Sequence, residues 1–230
     1  MSIVALIVAA GRGVRFGADR PKQFALLGNK PLLAHSIEMF ERMPQFDRTW
    51  LVVPAGFAAD LGRWMDVAAY SKIAGIVEGG ARRQDSVAAG LARLPAETEI
   101  VAIHDAVRPF AAPEAIAEAV ERARRMGAAI LAVPATDTTK RCDANGRVVE
   151  TLDRSRLWLA QTPQVFRFDL IREAYRKALS DGAEVTDDAA AVERLGRPVE
   201  VVRSPRPNPK ITAPGDLRFA EWLLSEGKGK

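Results

Sequence analysis

The run Ala9-Ala10-Gly11-Arg12-Gly13-Val14-Arg15-Phe16-Gly17 follows an apolar stretch and leads, four residues on, into Pro21-Lys22-Gln23. Small residues at the end of a strand let backbone N–H groups approach phosphate oxygens, and Arg15 and Lys22 add positive charge where a triphosphate would lie. Two familiar phosphate loops fail on these residues. A dinucleotide fingerprint needs a third small residue where this chain has Phe16, and an acid near the end of the second strand, where it has Val53-Pro54. A Walker A loop needs Gly-Lys followed by Ser or Thr, and the Gly-Lys pairs here sit at the C-terminal end.

Two further clusters carry chemistry. Gly79-Gly80-Ala81-Arg82-Arg83-Gln84-Asp85-Ser86-Val87 follows the run Ile73 to Val77. Its glycines permit close approach of a base or sugar, and Ser86 falls early on a helix. Asp105-Ala106-Val107-Arg108-Pro109 follows Ile100 to His104, which sets an acid and a base three residues apart at a strand end. A structural ion pair between Asp105 and Arg108 is the plain alternative; their position at the strand end favours function. Asp187-Asp188 after Thr186 suits a helix N-terminus at least as well as a magnesium site. His104 reads as a packed, hydrogen-bonded histidine, His35 as a capping or solvated helix residue, and the four tryptophans as core or interface.

The elements that must position these residues are read from hydrophobic pattern. Short β-branched runs, Ile3 to Ala9, Thr49 to Val53, Ile73 to Val77, Ile100 to His104, Ala128 to Val133 and Val199 to Arg203, alternate with helical segments. That alternation predicts an α/β fold, a parallel sheet with helices on both faces. Leu33, Ile37 and Phe40 make one helical stripe, and Pro113 opens a helix that Gly127 ends. In such a sheet the ligand crevice lies beyond the carboxyl ends of the strands, where all three clusters fall. Thr138 to Cys142 and Arg147 to Leu152 flank Asp143-Ala144-Asn145-Gly146 and predict a β-hairpin. A two-stranded ribbon is marginal alone, so this arm is expected to lean on a second copy of the chain.

Composition narrows the classes. Lone Cys142 excludes an internal disulfide, and two histidines, His35 and His104, supply no cluster with zinc spacing. The formal net charge of +4 is spread along the chain without an aromatic-interleaved patch, which favours small polyanions over nucleic acid. No apolar run reaches the length of a membrane span, and Ile3 to Ala10 lacks the basic lead of a signal peptide. A cytoplasmic protein without a membrane partner is the expectation.

Gly79-Gly80-x-x-Arg83-x-x-Ser86-Val87 with His104-Asp105-Ala106-x-Arg108-Pro109 resembles the 2-C-methyl-D-erythritol 4-phosphate cytidylyltransferase family of the non-mevalonate isoprenoid pathway. The likeness extends over Asp137-Thr138-x-Lys140, Asp153-Arg154, Leu157-Trp158, Gln161-Thr162-Pro163-Gln164, Thr186-Asp187-Asp188 and Asn208-x-Lys210-Ile211-Thr212. It implies a Rossmann-like, mostly parallel, doubly wound sheet of the nucleotide-diphospho-sugar transferase type. Residues 1–230 would be one nucleotidyltransferase domain, with 136–155 as a hairpin dimerisation arm in a homodimer.

The implied reaction is attack of a phosphomonoester oxygen on the α-phosphorus of CTP, giving 4-diphosphocytidyl-2-C-methyl-D-erythritol and pyrophosphate. By the resemblance, Arg15 and Lys22 stabilise the transition state, and Arg154 and Lys210 complete the catalytic set. Ala9, Ala10, Gly11, Gly13, Lys22, Gly80, Ala81, Ser86 and Ala106 line the CTP site. Asp105, Arg108, Thr138, Arg154, Thr162 and Lys210 meet the methylerythritol phosphate, with Arg154 arriving from the neighbouring subunit. Some members carry an acid where this chain has Ala81, so a nucleotide contact there must come from backbone. Mg2+ would be held mainly by the CTP phosphates. The rival readings are a ribitol 5-phosphate cytidylyltransferase, whose signature is nearly the same, and a non-catalytic nucleotide-binding regulator.

Overall fold

The computed structural model describes residues 2–11 and 21–227, and the candidates Gly13 and Arg15 lie outside them. From the N-terminus, β1 (Ser2–Val8) is followed by the short pair β2 (Leu26–Leu27) and β3 (Lys30–Pro31), which delivers the chain into α1 (Leu32–Glu41). Strands and helices then alternate through β4 (Arg48–Val53), β5 (Ile73–Glu78), α2 (Arg83–Leu91), β6 (Thr98–Asp105), α3 (Pro113–Met126) and β7 (Ala128–Pro134). The hairpin β8 (Lys140–Cys142) and β9 (Val148–Thr151) interrupts the series. After it come β10 (Trp158–Arg167), α4 (Phe168–Ser180), α5 (Asp188–Glu193), β11 (Glu200–Arg203) and α6 (Pro214–Gly227).

Seven strands form one sheet in the order β11-β7-β10-β6-β1-β4-β5. Pairings of β1 with β4 and β6, of β4 with β5, and of β7 with β11 are parallel. The exception is β10, antiparallel to both β6 and β7. Hydrophobic pattern does not predict this strand, because Gln161 to Gln164 interrupts it with polar residues and Pro163, and its pairing shifts register there.

Alternate residues of the strands feed two cores, as a pleated strand requires. Ala5 and Ile7 of β1 join Leu33, Ile37 and Phe40 of α1 and Ile116 and Val120 of α3 on one face. Val4 and Leu6 join Val87 of α2, Ile171 of α4 and Val192 of α5 on the other. Each such fully buried Leu, Ile or Phe contributes about 1.5–3 kcal/mol of transfer free energy, which fixes the strand register and so the strand ends. α6 closes a third cluster, with Ala220 against Leu27, Leu32 and Val107.

Among the described residues, the hairpin strands pair only with each other, and all seven of their residues are exposed. Gly146 closes the turn at φ +78°, donating its N–H to the Asp143 carbonyl at 3.1 Å. The ribbon is shorter than the pattern predicts, since Thr138, Thr139, Arg147 and Leu152 fall outside the paired strands. None of the four tryptophans is fully buried, and Trp158 and Trp222 are exposed. No described helix is long and apolar enough to cross a membrane.

Candidate active site

Beyond the carboxyl ends of β1, β4, β5 and β6 lies a cleft of about 500 Å³. β1 contributes Ala9, Ala10 and Gly11; β4, Pro54 and Ala55; β5, the segment Gly79 to Arg82. β6 contributes Asp105, Ala106 and Val107, while Lys22, Gln23, Arg83, Ser86 and Lys210 complete the wall. The strand order reverses at β1, with β4 on one side and β6 on the other, and the crevice of an open α/β sheet belongs at such a switch point.

The glycine wall is built by close approach. A Cβ on Gly79 would lie 2.4 Å from the Ala10 Cβ and 2.6 Å from the Ser86 Oγ, so only glycine fits. Ser86 is buried, accepts from the Gly80 N–H at 3.1 Å, and donates to the Arg82 carbonyl at 3.1 Å. Its hydroxyl thus fastens the loop to the first turn of α2, where Asp85 accepts from the Arg82 N–H and pairs with its guanidinium. Gln23 is 1% exposed, and neither of its amide atoms has a hydrogen-bond partner among the described residues.

Among the described residues, four cationic side chains, Lys22, Arg82, Arg83 and Lys210, line the cleft against a single carboxylate, Asp105. Asp105 is buried, with the Arg83 Nε donating to Oδ1 at 3.0 Å and the Lys210 ammonium 2.7 Å from Oδ2. Burial acts to raise its pKa, but Arg83 and Lys210 outweigh burial and hold the carboxyl well below the usual carboxylate range. The Asp105 and Arg108 pair that the spacing suggests is loose, at 4.0 Å, and Arg108 donates instead to the Asn208 carbonyl at 2.7 Å.

Behind Asp105 a chain of hydrogen bonds links His104, Thr162 and the Asp105 backbone. His104 donates from Nε2 to the Arg108 carbonyl at 3.1 Å, which leaves Nδ1 to accept from the Thr162 hydroxyl at 3.2 Å. The same hydroxyl accepts from the Asp105 N–H at 3.0 Å. Burial pushes His104 down to about 4, so the ring is neutral near pH 7 and belongs to the framework. Asn208 is buried and donates to the Thr162 carbonyl at 3.0 Å, which sets the chain that presents Lys210.

Of the residues singled out in the sequence, the cleft therefore gathers Ala9, Ala10, Gly11, Lys22, Gly80, Ala81, Ser86, Asp105, Ala106 and Lys210. Arg108 and Thr162 stand behind its wall. Thr138 and Arg154 are exposed on the hairpin side, away from the cleft of their own chain, with Arg154 donating to the Thr136 carbonyl at 2.8 Å. Asp187 caps α5 through the Ala190 N–H at 2.9 Å, and His35 donates to the Leu27 carbonyl at 2.9 Å. Sequence reasoning missed the centrality of Arg83, although its place three residues after Gly80 in a glycine motif was visible.

A mostly parallel doubly wound sheet, with a glycine-walled cationic cleft at its switch point, is the architecture of a nucleotide-binding α/β protein. Residues 3–226 match the family model described as 2-C-methyl-D-erythritol 4-phosphate cytidylyltransferase. A curated relative of that name from Syntrophus aciditrophicus is 44% identical over 99% of this chain and 98% of its own length. The solved 4-diphosphocytidyl-2C-methyl-D-erythritol synthase of Anaerococcus prevotii superposes with a TM-score of 0.86 at 30% identity, covering 97% of this chain and 96% of that one. The solved Francisella tularensis 2-C-methyl-D-erythritol 4-phosphate cytidylyltransferase superposes at 0.83 and 33% identity, covering 97% and 100%. The chain belongs to the 2-C-methyl-D-erythritol 4-phosphate cytidylyltransferase family.

Proposed function

We propose that this chain transfers CMP from CTP to the phosphate of 2-C-methyl-D-erythritol 4-phosphate, releasing pyrophosphate, as a step of isoprenoid precursor biosynthesis. The observation that carries the reading is the cleft's charge layout, with Lys22 beside the glycine wall and Lys210 against Asp105, both lining one cavity. Such a site holds two mutually repelling anions together. A non-ester oxygen of the acceptor phosphate attacks the α-phosphorus, the bond from that phosphorus to the β-phosphate oxygen breaks, and pyrophosphate departs. The second pKa of a phosphomonoester is near 6, so the nucleophile is ionised at neutral pH and the step needs no general base. Lys22, and Arg15 outside the described residues, would stabilise the charge on the pentacoordinate phosphorus.

Mg2+ belongs to this reading as a companion of the triphosphate. Both oxygens of Asp105, the single carboxylate among the described lining residues, are engaged by Arg83 and Lys210. No group of three or more His, Cys, Asp or Glu side chains among the described residues is arranged to hold a metal. This donor set fits an ion ligated mainly by phosphate oxygens, where it would supply charge neutralisation. Cys142, a single exposed free thiol, suits a reducing cytoplasm.

Pyrophosphate release with each nucleotide and acceptor in turn tests the assignment. CTP with methylerythritol phosphate should exceed ATP or GTP by roughly a hundred-fold in kcat/KM, and should exceed ribitol 5-phosphate as acceptor. Equal turnover with a purine triphosphate contradicts the pyrimidine reading, and a preference for ribitol 5-phosphate replaces the acceptor.

The reading also includes a homodimer through the hairpin. Val148, Val149, Trp158 and Leu159 are all exposed on the arm and at its root, at 60, 55, 41 and 58%. Apolar side chains so grouped favour burial against a second subunit. Arg154 would then complete the neighbour's cleft. Mixing Arg154→Ala and Lys22→Ala chains should restore activity above either mutant, because the heterodimer holds one site with both residues intact. No recovery after exchange, verified by native mass spectrometry, assigns Arg154 to its own subunit.

A further inference from the structure

We propose that Asp188 and Tyr175, which do not line the cleft, are positioning residues that set its acceptor end by locking Arg83 against Asp105. The proposal rests on the reading of the cleft as the place of transfer to a phosphomonoester. The guanidinium of Arg83 is used on every side. Its terminal nitrogens donate in parallel to the two oxygens of Asp188, at 3.0 and 2.8 Å, while Nε donates to Asp105. Asp188 is fully buried and accepts a further bond from the Tyr175 hydroxyl at 2.6 Å. The start of α5 is pinned as well, since the Gln164 amide donates to Asp187 and accepts from the Ala189 N–H.

Signs therefore alternate from the protein interior to the cleft: Asp188, Arg83, Asp105, Lys210. A buried ion pair is weak as a source of stability, and a well-packed apolar pair often serves as well or better. Two carboxylates gripping one arginine at the N-terminus of α2 thus point to placement of charge. Arg83 takes Oδ1 of Asp105 and leaves Oδ2 to Lys210, so the Lys210 ammonium is tied to an anchor fixed from behind. Without Asp188, the long Arg83 stem is free to turn its full charge into the cleft, compete for phosphate and release Asp105.

The experiment measures initial rates with both substrates varied, for Asp188→Asn, Tyr175→Phe, Lys210→Met and the Asp188→Asn/Lys210→Met double variant. Asp188→Asn should lower kcat/KM for methylerythritol phosphate about ten- to a hundred-fold, with KM for CTP little changed. Tyr175→Phe should give a smaller loss in the same parameter. The double variant should be far less impaired than the product of the single losses, since both act on one arrangement. Losses equal for both substrates, or single effects that multiply, overturn the proposal. If Asp188→Asn does not fold, Tyr175→Phe decides by the same substrate-selective test. A wild-type chain that transfers CMP to no polyol phosphate sinks the functional reading and the proposal together; a competent wild type with uniform losses sinks the proposal alone.

Discussion

Replacing Lys22 by alanine lowers kcat by about a hundred- to a thousand-fold, the usual loss for one preorganised charge donor, while the Kd for CTP rises far less. The distinction follows from where charge develops. On the proposed reading, backbone of the glycine wall and the other cations would still hold the triphosphate, but the oxygens of the pentacoordinate phosphorus would lose a donor placed beside Gly11 at the end of β1. Arg15→Ala should behave alike. Single-turnover rates at saturating CTP, with CTP affinity from calorimetry, separate the two effects. Activity of Lys22→Ala within a few-fold of wild type removes Lys22 from the chemistry.

Asp105→Asn carries the largest expected cost to the fold. The carboxylate sits between Arg83 and Lys210, with Arg108 at 4.0 Å, and its loss leaves these three cations with one remaining carboxylate, Asp188, which pairs with Arg83 alone. Removing one partner of a buried charge cluster costs about 3 kcal/mol or more, a drop in Tm of roughly 6–12 °C for a chain of this size. The pH dependence has a definite sign. Asp105 titrates lower in the folded chain than the unfolded value near 4. Its contribution is therefore complete above about pH 4 and drains as pH falls toward the folded value, at about 1.4 kcal/mol per pH unit. Urea denaturation between pH 4 and pH 3 should show a steeper loss of stability in the wild type than in Asp105→Asn, the difference approaching this slope, while from pH 7 to pH 5 the two run parallel. Equal slopes would mean that Asp105 is not held ionised by its neighbours.

The cleft was legible because parallel strands are near-continuous β-branched runs, whose ends can be read from sequence and are where ligands sit. Pro113 and Gly127 bracket α3 as predicted, and Asp143 to Gly146 turn the hairpin. β10 was hidden, since Pro163 and its polar neighbours break the apolar pattern of a strand that nonetheless pairs on both sides. The bond from Arg83 to Asp188 joins residues 105 positions apart, and no local pattern separates Asp188, buried, from Asp187, which caps the same helix. Thr138 and Arg154 were named from resemblance, and a single chain does not bring them to its cleft.

The central claim is direct transfer, in one cleft, from CTP to an oxygen already present on the acceptor phosphate. It is tested by labelling the non-ester oxygens of methylerythritol phosphate with oxygen-18 and reading the products by phosphorus NMR. Direct in-line attack places the label in the oxygen bridging the two phosphorus atoms of the new diphosphate, and leaves the released pyrophosphate unlabelled. An unlabelled bridge, or label in pyrophosphate, would contradict it.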